Sequence, residues 1–148
     1  MEKTILIIII VILAGTYLIE VLLSALNLRN SRKPVPTELG DLYTPDKRMR
    51  QLQYQRTNIR FGILTSTIGL AFSLLMVCGG FAWLNNGLLS VTTVPLWHTL
   101  LFFVVYLALS SLIDLPTSIY DTFHIEAKFG FNTTTPWTFA KDTVSSFL

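Results

Sequence analysis

The stretch Phe61–Leu84, FGILTSTIGLAFSLLMVCGGFAWL, decides how this chain must fold. Its 24 residues carry no charge, and at about 1.5 Å per residue a helix of that length crosses a hydrocarbon core of about 30 Å. A backbone that leaves water for lipid must satisfy its own polar groups, which a helix does within a single segment. The stretch is therefore predicted to span a membrane. Within it Thr65, Gly69 and Ser73 recur every fourth residue. Small residues so spaced either admit a close helical neighbour or reflect how common small residues are in such helices.

Outward from this span the composition agrees. Of the 148 residues 51% are apolar and 14% charged, well below the quarter or so of charged residues in a soluble domain. Two further windows are nearly free of charge. Thr4–Leu26 holds ILIIIIVILA and a single charge, Glu20; Leu96–Ile113 has 18 residues, among which His98 is the one markedly polar side chain. A cleaved secretory signal is the alternative reading of the first window, but Glu2 offsets Lys3, the apolar run continues past Gly15, and the basic cluster lies on its far side. The fold class is thus all-α, a polytopic transmembrane helical bundle with spans at about 4–26, 61–84 and 96–113. The lone Cys78 excludes a disulfide framework or a cysteine metal cluster. A net charge of +2 with no glycine and aromatic pattern suited to bases speaks against nucleic acid as a partner.

The loop 27–60 carries eight basic residues against Glu38, Asp41 and Asp46, whereas NNGLLSVTTVP (Asn85–Pro95) carries no charge. Basic loops stay in the cytoplasm. The expected topology has the amino terminus outside, the basic loop inside, the short loop outside, and the segment 116–148 inside, in a multi-pass protein of a bacterial inner membrane. In the basic loop, KPVP (Lys33–Pro36) favours extended chain. Thr44 can cap a helix with Pro45 in its first position and Asp46 in its first turn, and that helix is expected to run on into the second span. Met49, Leu52 and Ile59 fall near one of its faces, Arg48, Arg56 and Arg60 elsewhere. Those arginines read as a solvated, topology-setting face or as a lipid-surface contact.

Pro116 predicts a kink or restart of the third helix. PTSIYDTFHIEAKF (Pro116–Phe129) then reads as an amphipathic helix, with Ile119, Phe123 and Ala127 on one side and Asp121, His124 and Lys128 on another. Gly130 supplies a left-handed stop, and Thr133–Thr135 followed by Pro136 supply the cap and first turn of a new helix.

At these residues the chain resembles a known family. The pattern Glu126, Gly130-Phe131-Asn132, Thr135, Phe139 and Asp142, together with the loop LNLRNSRKPVPTELGDLYTPDKRMRQLQYQRTNIRFG, is similar to the amino-terminal membrane portion of the type I CAAX prenyl endopeptidases and their bacterial relatives. That resemblance runs from Leu26 onward and implies an integral-membrane zinc metalloendopeptidase whose α-helical membrane part walls a chamber admitting prenylated or other membrane-associated substrates. Family catalysis requires HExxH and a downstream glutamate on zinc. The two histidines here, His98 and His124, do not begin that motif, so no catalytic or metal residue is carried over. The resemblance implies zinc only in the full-length protein, a catalytic carboxy-terminal part as partner, and a chain that ends at Leu148 as a truncation, inactive alone. The rival expectation is a stand-alone membrane scaffold or interaction protein.

Local chemistry adds little. His124 and Glu126, two apart, point away from each other on a helix and lack a third ligand. Asp121 and Glu126 are better read as ion-pair partners for Lys128. Glu20, a carboxylate within a span, is expected either to face an internal chamber or to snorkel towards headgroups. Asn132-Thr133-Thr134 matches a glycosylation acceptor, which the expected cytoplasmic placement would leave unmodified. Trp83, Trp97 and Trp137 sit where an aromatic belt would.

Overall fold

The computed structural model describes residues 2–30 and 45–145; the KPVP stretch and the Thr44 cap lie outside them. Helix α1 runs Glu2–Asn30 and α2 runs Pro45–Leu75. A π-helical turn, Met76–Gly80, joins α2 to α3 (Phe81–Leu89), and the chain bends at Gly79. Then α4 (Pro95–Tyr120) passes through a second π-helical turn, Asp121–Glu126, into α5 (Ala127–Phe129), and α6 (Pro136–Ser145) follows after a turn. Three of these helical runs are long and apolar enough to cross a membrane: Lys3–Asn30, Asp46–Leu89 and Pro95–Phe129.

Two differences from the sequence reading have physical causes. First, α4 continues through Pro116. A proline inside a helix removes one backbone hydrogen bond, here the donor to Leu112 O, and leaves the turns on either side able to stay helical; Thr117 Oγ1 donates to Asp114 O at 2.7 Å in the same turn. Second, the irregularity lies five residues later, in the π turn, so no separate helix starts at Pro116. The expected passage of the basic-loop helix into the second span is seen: α2 is one unbroken rod from Pro45 to Leu75.

Helix α1 lies along α2, where Tyr17 Oη and Thr67 Oγ1 are 2.8 Å apart and Ser66 Oγ donates to Glu20 Oε1 at 2.6 Å. Helix α4 packs on α3 at one end and reaches α2 through the second π turn at the other. Among the described residues the buried apolar side chains are accordingly Met76, Leu84 and Leu88 near the first π turn, Ile125 within the second and Phe129 just past it. Elsewhere large apolar residues stand exposed, Ile5, Ile12 and Ile19 on α1 and Val104 and Leu112 on α4 among them. In water such a surface would drive association; in a bilayer acyl chains solvate it. A Cβ at Gly69 would have nothing within 4 Å, so no helix among the described residues approaches the Thr65, Gly69, Ser73 stripe closely at that point.

Candidate functional site

Where α5 ends, two hydrogen bonds close the helix. Gly130 N donates to Ala127 O at 3.1 Å and Phe131 N donates to Glu126 O at 2.9 Å, the paired pattern that ends a helix on a left-handed residue. Gly130 takes that conformation at φ 77°, ψ 23°, which L side chains avoid. Asn132 N also reaches Glu126 O, at 3.3 Å, and Asn132 Oδ1 accepts from Thr134 N at 2.6 Å, fixing the loop. Thr135 Oγ1 then accepts from Thr138 N at 3.2 Å, capping α6 ahead of Pro136.

The rod α2 clamps this turn from outside. Arg50 Nη2 donates to Phe129 O at 2.7 Å, placing a cation on a carbonyl that the helix end leaves free. Tyr54 meets Phe129 edge-on at 5.3 Å and Phe131 at 4.7 Å between ring centroids. Phe139 of α6 folds back to meet Phe123 of the π turn at 5.5 Å, again edge-on. The expected motif residues Glu126, Gly130, Phe131, Asn132, Thr135 and Phe139 thus share one joint, each with a mechanical task in it.

Asp142 leads to the second part of the site. It lines a cleft of about 360 Å³ with Ser111, Asp114 and Ser118 of α4 and with Phe139 of α6. Asp114 and Ser118 also line an adjoining cleft of about 440 Å³, opposite Asn58, Gly62 and Thr65 of α2 and bounded by Thr117 and Asp121. Hydroxyls and carboxylates therefore gather along one side of α4 and line these clefts, while Leu112 and Ile119 stand exposed on another side. Asn58 Oδ1 is shielded from solvent and accepts no hydrogen bond from the described residues. An unmet buried acceptor costs about 1–3 kcal/mol, so this cleft favours a donor.

The remaining expectations divide. Glu20 is exposed and bonded to Ser66 across the α1–α2 contact. Lys128 Nζ lies 5.7 Å from the centre of the Phe129 ring and pairs with neither Asp121 nor Glu126. His124 stacks on Tyr120 at 4.7 Å, and His98 Nε2 lies 3.5 Å from Asn85 O. No three His, Cys, Asp or Glu side chains converge on a metal-sized site among the described residues. Sequence reasoning missed Arg50, Tyr54 and Asn58. Their signal, polar and aromatic residues on a helix entering a membrane, is shared with their neighbours on the same helix.

The family described as CAAX prenyl protease N-terminal, five membrane helices, matches residues 24–148. A human CAAX prenyl protease 1 homolog is 30% identical over 125 residues, which cover 77% of this chain and 26% of that protein. The homolog from rice (Oryza sativa subsp. japonica) is 47% identical over 51 residues, 34% of this chain and 12% of its own. Among solved structures, S. mikatae Ste24p superposes with a TM-score of 0.84 at 25% identity, over 95% of this chain and 35% of that one. The chain thus spans about a quarter to a third of the longer matches' length.

Proposed function

Because this chain belongs to the CAAX prenyl protease N-terminal family, we propose that it forms part of the wall of an intramembrane proteolytic chamber, with the polar side of α4 as its lining. One observation supports this above the others: a helix apolar enough to span lipid turns Ser111, Asp114, Thr117 and Ser118 into clefts shared with α2 and α6. Polar side chains in a membrane protein face protein or water, not acyl chains. The chamber would admit prenylated or other membrane-associated protein substrates.

Catalysis belongs to another part of the family protein. The described residues do not fit a zinc site, since no three candidate ligands converge and three or more are needed. When bound in the catalytic part, zinc supplies an activated water for peptide hydrolysis. The residues in hand position the wall: Arg50 and Tyr54 fix the turn at Gly130, and that turn sets α6 and Asp142 against α4. Within this reading the amino terminus is outside and the basic loop and α6 lie on the cytoplasmic side of a bacterial inner membrane, supported by eight basic residues in the loop 27–60 and none in Asn85–Pro95.

The test is accessibility. With Cys78→Ala as background, Ser118→Cys should react with a charged, membrane-impermeant thiol reagent in permeabilised membranes, while Leu112→Cys, which is 66% exposed on the apolar side, should not. The reverse pattern overturns the chamber reading. Chelator-sensitive peptide cleavage by the purified chain would overturn the assignment of catalysis elsewhere.

A further inference from the structure

Phe61 lines two clefts of opposite character. On one side is the polar cleft; on the other is an apolar cleft of about 450 Å³ formed by Thr57, Arg60, Phe61 and Leu64 of α2 with Tyr120 and Ile125. Ile125, 2% exposed, closes its floor, and the rings of Phe61 and Tyr120 lie 5.3 Å apart along it. At its rim stands Arg60, an exposed cation that makes no hydrogen bond or ion pair with the described residues. Arg50, by contrast, is spent on Phe129 O.

We propose that this cleft binds one anionic phospholipid, with Arg60 on the phosphate and an acyl chain laid over Phe61, Leu64, Tyr120 and Ile125. Three features select this occupant. Arg60 is the last charge before the uncharged span Phe61–Leu84, which sets it at headgroup depth, where long basic side chains extend to phosphate. A guanidinium is weakly hydrated and matches phosphate oxygens in paired hydrogen bonds. The cleft adjoins the exposed apolar surface of Leu64, 54% exposed, so a chain entering it stays continuous with the surrounding bilayer. A free anion would use the rim and leave the apolar floor uncovered.

The experiment uses the full chain in detergent, with native mass spectrometry and thermal unfolding as readouts and phosphatidylglycerol, phosphatidylcholine and inorganic phosphate as probes. Wild type should retain phosphatidylglycerol about fivefold better than phosphatidylcholine, the weight of one basic side chain at an anionic surface. Arg60→Gln should abolish that preference with helicity unchanged by circular dichroism. Leu64→Trp, which keeps the charge but fills the slot, should reduce retention of both lipids. Arg56→Gln, one turn away and outside the cleft, should keep the preference. Equal losses in Arg56→Gln and Arg60→Gln would show diffuse surface attraction and overturn the site. Stabilisation by inorganic phosphate equal to that by phosphatidylglycerol would overturn the lipid assignment in favour of a bare anion.

Discussion

Replacing Gly130 by alanine should cost more than its backbone conformation alone explains, and the excess should vanish when Arg50 is removed first. At φ 77° an alanine pays about 1–2 kcal/mol for left-handed backbone. Its Cβ would also lie 3.0 Å from Arg50 Nη2, tighter than ordinary contact, so the guanidinium must shift from Phe129 O. That bond, 2.7 Å long and only part-buried, is worth about 1–1.5 kcal/mol after allowing for solvent screening. Gly130→Ala should therefore destabilise by about 2–3.5 kcal/mol, and Arg50→Ala by about 1–1.5 kcal/mol, on the same grounds. The double variant should be no less stable than Gly130→Ala, because the same bond cannot be lost twice. Reversible unfolding of the four proteins in detergent, followed by circular dichroism, gives the coupling. Strictly additive losses would refute the idea that the glycine keeps the arginine's seat clear.

Two further outcomes rest on the same structure. Thr135→Ala should lower stability by about 1 kcal/mol through loss of the α6 cap, whereas Thr135→Ser, which keeps the oxygen bonded to Thr138 N, should restore most of it in the same assay. Gly80→Ala would bring a Cβ to 3.1 Å from Leu75 O and 2.8 Å from Met76 Sδ and should destabilise by about 1–3 kcal/mol as an overpacked site; Gly69→Ala, with open space around it, should leave the unfolding temperature unchanged or raised.

Much of this architecture was legible because lipid imposes a simple pattern. The uncharged run Phe61–Leu84 and the iterated isoleucines of α1 admit few readings other than spanning helices, and Gly130, Thr135 and Pro136 carry their backbone roles in their covalent structure. The joint's partners were not legible. Arg50 binds a carbonyl 79 residues away, and local spacing does not single it out from Arg48 or Arg56. On α2, of the expected apolar face of Met49, Leu52 and Ile59, Met49 is exposed while Leu52 and Ile59 are half-buried, and the ring contacts come from Tyr54 and Phe61. Past Tyr120 a period of 3.6 put Ile119, Phe123 and Ala127 on one face, yet Ile125 and Phe129 are the buried pair. A π turn inserts an extra residue into the helix, which rotates everything downstream, and composition gives no sign of it. At Pro116 no new helix starts, because one proline removes one backbone hydrogen bond and α4 continues through it.

The unbroken length of α2 has a mechanical corollary. Its 31 residues make a beam of about 46 Å, gripped near one tip by Arg50 and Tyr54, with the two clefts opening about midway along its shaft. Rotation at the gripped tip would thus be transmitted to both clefts at once, widening one flank of Phe61 as it narrows the other, so that the polar and apolar clefts on either side of that ring would open in antiphase.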